Sequence, residues 1–161
     1  MYNELKKIKE EFYDRCGLKL SDLKLNEERS TYNACSFKLN KWNIEYRLAK
    51  ITPKKTGQFV AIWKRGKNGT TMPFDVSDDF DFMVITTIKG NKIGQFIVPK
   101  QVLKEKGIIS QNGAGGKRGI RVYPPWDTTT NVQAQKSQDW QIKYFSIIEK
   151  SHTNTCLELL V

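Results

Sequence analysis

Two short turn signals constrain this chain more than any other feature. Asn40-Lys41-Trp42 lies between residues 33–39 and 43–51, and Lys89-Gly90-Asn91 lies between residues 80–88 and 92–98. The flanking runs alternate or are apolar enough for strands, so each turn predicts a hairpin. Residues 3–15 place Leu5, Ile8 and Phe12 on one helical face, with Gly17 as a stop. Residues 99–106 make one or two helical turns closed by Gly107. Thr130 and Gln133 have capping-box spacing, and the helix after them puts Trp140, Tyr144, Ile147 and Ile148 on one face. Residues 54–65 fit two patterns: Phe59, Ile62 and Trp63 have helical spacing, whereas Phe59, Ala61 and Trp63 alternate. Thr52-Pro53 resembles a helix start, so a short helix is expected there. GIRVYPPWD reads as a strand ending at proline. The order α-β-β-α-β-β-α-β-α predicts an α/β protein of the mixed α+β kind, one domain over residues 1–161. A central mixed sheet flanked by helices is expected, not a βαβ repeat or an all-β sandwich.

Composition removes several alternatives. A chain of 161 residues with 39% hydrophobic and 27% charged residues can bury a core and is not of the disordered class. No apolar run approaches the roughly 20 residues of a membrane helix, and the charged N-terminus lacks the apolar stretch of a secretory signal, so no membrane partner is expected. Three widely spaced cysteines, Cys16, Cys35 and Cys156, without a CxxC, favour reduced thiols and a cytoplasmic location. A single histidine, His152, argues against Cys/His zinc sites, and no metal site is expected.

The net charge of +10 is unevenly spread. Residues 38–67 hold nine Lys or Arg against Glu45 alone, and residues 82–121 hold eight against Glu105. The acids gather at Glu10, Glu11, Glu27, Glu28 and in PFDVSDDFDF. Such segregation is what a one-sided basic surface for nucleic acid requires.

Lys50 ends a predicted strand beside Pro53, as does the lysine of PD-(D/E)xK nucleases. There an acid two positions earlier holds Mg²⁺ while the lysine orients water. Here that position is Leu48, and Glu45 has the opposite parity. Asp75 and Asp78 could supply ligands from a neighbouring strand, but the spacing is not an EF-hand loop: the twelfth position from Asp75 is Thr86. Catalysis by Lys50 with Glu45, Asp75 or Asp78, and Mg²⁺ with it, is therefore the alternative and not the leading reading. SQNGAGGKRG fails the phosphate-loop template, because Gln111 stands five before Gly116 and Arg118 follows the lysine. It reads as a mobile loop ending in Lys117, Arg118 and Arg121. Trp63, Trp126 and Trp140 read as core or rim aromatics. Trp42, in a turn between Lys41 and Arg47, is expected to be exposed for stacking on bases.

The stretches YNACSFKLN, RLAKITPKKTGQFVAIWKR, PFDVSDDFDF, IGQFIVPKQVLKEKGI and GKRGIRVYPPWDTTTNVQAQKSQDWQ, together about residues 32–145, resemble the MepB family of small bacterial proteins. The resemblance implies a restriction-endonuclease-like fold and brings no established substrate or reaction. Some members carry an acid two residues before the lysine matching Lys50, where this chain has Leu48. Lys50, Lys54 and Gln58 then belong to an anion-binding cleft.

The expected function is nucleic-acid binding without nuclease activity or cofactor, DNA being preferred to RNA as partner. Trp42, Arg47, Lys50, Lys54, Lys55, Gln58, Lys64 and Arg65 would contact the strand, and Lys117, Arg118 and Arg121 would close over it. A protein-interaction or small-anion adaptor is the further alternative.

Overall fold

The computed structural model describes residues 1–26 and 31–149. Glu27, Glu28, His152 and Cys156 lie outside the described residues. A six-stranded sheet forms the centre, in the order β1 (Leu20–Leu25), β2 (Cys35–Leu39), β3 (Trp42–Leu48), β8 (Phe82–Lys89), β9 (Lys92–Pro99), β11 (Phe145–Ile147). Its pairs are antiparallel except β3 with β8, which are parallel, so the sheet is mixed and the fold is α+β. Both expected hairpins form, and Asn40 and Gly90 supply the positive φ their turns need.

The sheet is covered on both faces. Helix α1 (Asn3–Ile8) continues into a wider turn, Lys9–Tyr13, and lays Leu5, Ile8 and Phe12 against Phe37, Ile44, Tyr46, Phe82 and Val84. Met83, Ile85, Phe96 and Val98 face the other way, onto Val60, Ile62, Leu103, Ile109 and Val122. That is why Phe-Met-Val-Ile in β8 is unbroken and apolar: alternate residues enter different cores. Deep on the α1 face, Tyr13 donates to Gln95 at 3.0 Å, Gln95 donates to Thr86 at 3.0 Å, and Thr86 meets Tyr46 at 2.6 Å. This chain satisfies side chains that would otherwise be orphaned in the interior.

Between β3 and β8 the chain adds four short strands, which with β10 from later in the chain build two smaller sheets. One holds β4 (Lys50–Ile51), β5 (Gln58–Ala61) and β10 (Gly119–Val122) in the order β10-β5-β4. The other pairs β6 (Lys64–Arg65) with β7 (Thr71–Met72). Two expectations are corrected here. The strand expected over 43–51 divides at Ala49: Leu48 and Ala49 are both buried, and Lys50 pairs with a different sheet. Residues 54–65 do not form a helix, because Gln58–Ala61 pairs on both sides, with β4 and β10, which suits its aromatic and β-branched residues.

Helix α2 (Lys100–Glu105) ends at Gly107 as expected. Helix α3 (Val132–Gln141) is capped one residue later than predicted: the Asn131 side chain accepts the Ala134 N–H at 2.8 Å. It does not run on to Ile147. A 3₁₀ turn, Ile142–Tyr144, follows, and then Phe145–Ile147 pairs with β9. Phe145 seats its ring on Gly94, where an added Cβ would lie 2.0 Å from it. The buried side of α3 is largely polar. Gln141 accepts the Tyr123 N–H and donates to the Arg121 carbonyl, so its amide occupies the free edge of β10. Gln138 donates to the carbonyls of Pro124 and Asp127. Among the described residues no helix is long and apolar enough to cross a membrane.

Candidate nucleic-acid interface

Residues directly opposite one another on neighbouring strands share a face. Lys50 is opposite Phe59, and Phe59 is opposite Arg121, so these three stand in a row on one face of the small sheet. The other face carries Val60 and Val122 into the core. Phe59 lies across Gly119, where a Cβ would come within 2.5 Å of its ring. Tyr123 lies likewise across Gly57, at 2.7 Å. The glycines let both rings lie low against the backbone.

This face forms the floor of a groove of about 800 Å³ whose opposite wall is α3. Lys54, Lys55, Lys106, Lys117 and Arg121 line it with Phe59, Tyr123 and Trp140, and among the described residues its lining contains no carboxylate. Five cations around one concavity give a positive potential that the protein walls concentrate. Arg121 also organises the groove: it donates to the Thr56 carbonyl at 3.2 Å and to the Thr52 hydroxyl at 2.6 Å, holding the turn that presents Lys54 and Lys55. Lys106 lies over the Trp140 ring at 5.5 Å. The sequence reading missed Lys106 and did not place Trp140 at the site; only the topology brings α2 and α3 to this face.

The glycine-rich segment, expected to be mobile, is pinned by Asp75. The Asp75 carboxylate accepts from the Ser110 hydroxyl at 2.6 Å, the Gly113 N–H at 3.0 Å, and the Ser77 N–H and hydroxyl at 3.0 and 2.8 Å. These donors, Ser110 foremost, hold the carboxyl well below the usual carboxylate range. Lys117 is fixed in turn by its N–H on the Ile108 carbonyl at 2.9 Å.

The other candidates lie elsewhere. Gln58 is buried on the core face of the small sheet, donating to the Ile88 carbonyl at 3.3 Å, and not in the groove. Arg47 is buried rather than presented to a strand: it donates to the Tyr46 carbonyl at 2.7 Å and pairs with Glu45 at 3.3 Å. Burial pushes its guanidinium pKa down. Lys64 holds Asp78 at 2.6 Å, Arg65 donates to the Gly69 carbonyl, and Arg118 holds Thr71. Trp42, expected to be exposed, is half-buried edge-on against Phe82, with Lys41 over its ring at 4.8 Å. Asp78 also accepts the Asp75 N–H at 2.7 Å. Glu45, Asp75 and Asp78 are thus each engaged by protein donors, and among the described residues they form no group of three metal-binding side chains.

Fold and groove together define a small mixed α+β protein with a polybasic, aromatic-lined concavity. The profile of the MepB-like family matches residues 26–147, and the chain belongs to that family. A solved structure described as "Crystal Structure of MepB" superposes with a TM-score of 0.79 at 32% identity, over 93% of this chain and 99% of that one. None of the curated proteins matches the chain.

Proposed function

We propose that this protein is a cytoplasmic nucleic-acid-binding protein, with DNA as its preferred partner, and that the groove between the small sheet and α3 is the contact surface. The single observation that carries this reading is the groove lining, which among the described residues holds five cations, three aromatic rings and no carboxylate. Cations on a concave wall neutralise backbone phosphates, and low-lying rings offer flat faces to bases. Lys50, on the same sheet face as Phe59 and Arg121, extends the basic row beyond the groove. Cys35, a free and buried thiol, fits a reducing compartment.

Metal-dependent cleavage through Lys50 is the weaker reading. Asp75 serves four donors, and Lys50 belongs to a different sheet from Glu45. The test is fluorescence anisotropy with labelled DNA at low salt, for the natural protein and for Lys54→Glu/Lys117→Glu. Saturable binding that weakens more than tenfold in the variant is expected. Undetectable binding by the natural protein, or equal binding by the variant, refutes the reading. The same DNA incubated with Mg²⁺ or Mn²⁺ should stay intact.

A further inference from the structure

Arg47 is 1% exposed, yet among the described residues only its Nη1 finds acceptors; Nε and Nη2 meet none. Those two N–H groups lie on the same edge of the guanidinium plane. They are the side-on pair that grips two oxygens of one carboxylate or phosphate at once. A buried donor pair left unmatched is costly, and more so when it carries charge. Arg47 also lines a cleft of about 200 Å³ together with Lys24, Lys64, Ser36, Cys35 and Glu45. Among the described residues of this lining three side chains are cationic, one of them, Lys64, already paired with Asp78, and one is a carboxylate. Phe74 lies under the guanidinium, 5.6 Å from ring centre to Cζ, and fixes its plane. No residue of this cleft lines the basic groove.

We propose that the Arg47 cleft is a binding site for a small oxyanion, a carboxylate or phosphate group that presents two oxygens to Nε and Nη2 once the side chains that close them off from solvent shift aside. Ser36 supplies a further donor at the wall and Lys24 supplies positive charge, while Lys64 stays paired with Asp78 at 2.6 Å. Glu45 opposes the ligand while holding Nη1, so it sets the affinity low and the site selective for small, strongly charged groups. The site is separate from the proposed nucleic-acid groove and stands or falls without it.

The experiment is NMR titration of the arginine Nε–Hε resonances with inorganic phosphate, and separately with acetate, at constant ionic strength with chloride as control. The Arg47 resonance should shift saturably with phosphate or acetate and not with chloride. Whichever of the two binds more tightly identifies the source class. Glu45→Gln keeps the shape, removes the opposing charge and should tighten binding about tenfold, the effect of one charge several ångströms away at intermediate dielectric. Lys54→Glu/Lys117→Glu should leave the Arg47 shift unchanged, separating this site from phosphate held in the groove. An Arg47 resonance that stays fixed or moves equally with chloride overturns the proposal. So does an affinity unaltered in Glu45→Gln. Lys24→Ala, at an exposed position, should weaken binding several-fold without depending on whether a change at Arg47 folds.

Discussion

Salt dependence tests the groove most directly. Each phosphate neutralised on duplex DNA releases counterions worth about 0.9 in the slope of log affinity against log salt, and about 0.7 on a single strand. Five cations line the groove. Full engagement then gives a slope of about −4.5 on duplex, or about −3.5 on a single strand. Raising salt from about 50 to about 200 mM should weaken duplex binding about 500-fold, or single-strand binding about 130-fold. Lys54→Ala, Lys106→Ala and Lys117→Ala should each flatten the slope by about 0.7–0.9, whatever the base sequence. Arg65→Ala and Arg118→Ala should not, because among the described residues neither side chain lines the groove. The assay is anisotropy with one labelled oligonucleotide across a salt series. A slope near zero, or one flattened by Arg118→Ala and not by Lys117→Ala, would refute the assignment of the contact surface.

Three further outcomes are expected. Because its folded-state pKa lies below the ordinary carboxylate value, Asp75 stabilises the protein at pH above about 4 and loses that contribution as pH falls further. Thermal melts should therefore show an acid-side loss that Asp75→Asn flattens, and an identical acid limb in the variant would contradict this. Gln141→Ala strands the Tyr123 N–H and the Arg121 carbonyl at the edge of β10, and urea unfolding should show a loss of about 2–4 kcal/mol. Burial pushes the Cys35 thiol up to about 12, so iodoacetamide at pH 8 should leave it unmodified in the folded protein, as peptide mapping would show.

Much of the frame was legible in the sequence because it rests on local rules. Asn40 and Gly90 mark hairpin turns, and Gly107 stops a helix, each through a backbone conformation the neighbours cannot adopt. The errors come where tertiary pairing overrides local pattern. Phe59-Val60 could belong to either period, and only the arrival of β10, about sixty residues later in the chain, makes it a central strand. The parity argument at Lys50 assumed one continuous strand, whereas the chain changes sheets at Ala49. Ile147 and Ile148 looked helical by spacing, yet pairing with β9 claims Phe145–Ile147. At the site, charge segregation pointed to Lys54, Lys55, Lys117 and Arg121, which the fold gathers. It gave no means of telling those from Lys64, Arg65 and Arg118, because which basic side chains share one concavity is decided by the topology and not by local sequence. Arg47 was read as a surface contact for the same reason.

The parallel seam of the central sheet, β3 against β8, has a consequence for the order in which the molecule assembles. Each hairpin can close from residues a few positions apart. Joining them requires the ends of the segment 49–81 to meet, a loop-closure cost of about 3 kcal/mol. The seam is thus the late event, and β4 to β7, the short strands carried on that segment, cannot find their place before it. Ile85→Val at the seam should therefore speed unfolding more than it slows folding, whereas Phe37→Leu in the first hairpin should do the reverse in stopped-flow chevrons. The basic groove, which needs β10 to reach across to β5, is the last surface of the protein to exist.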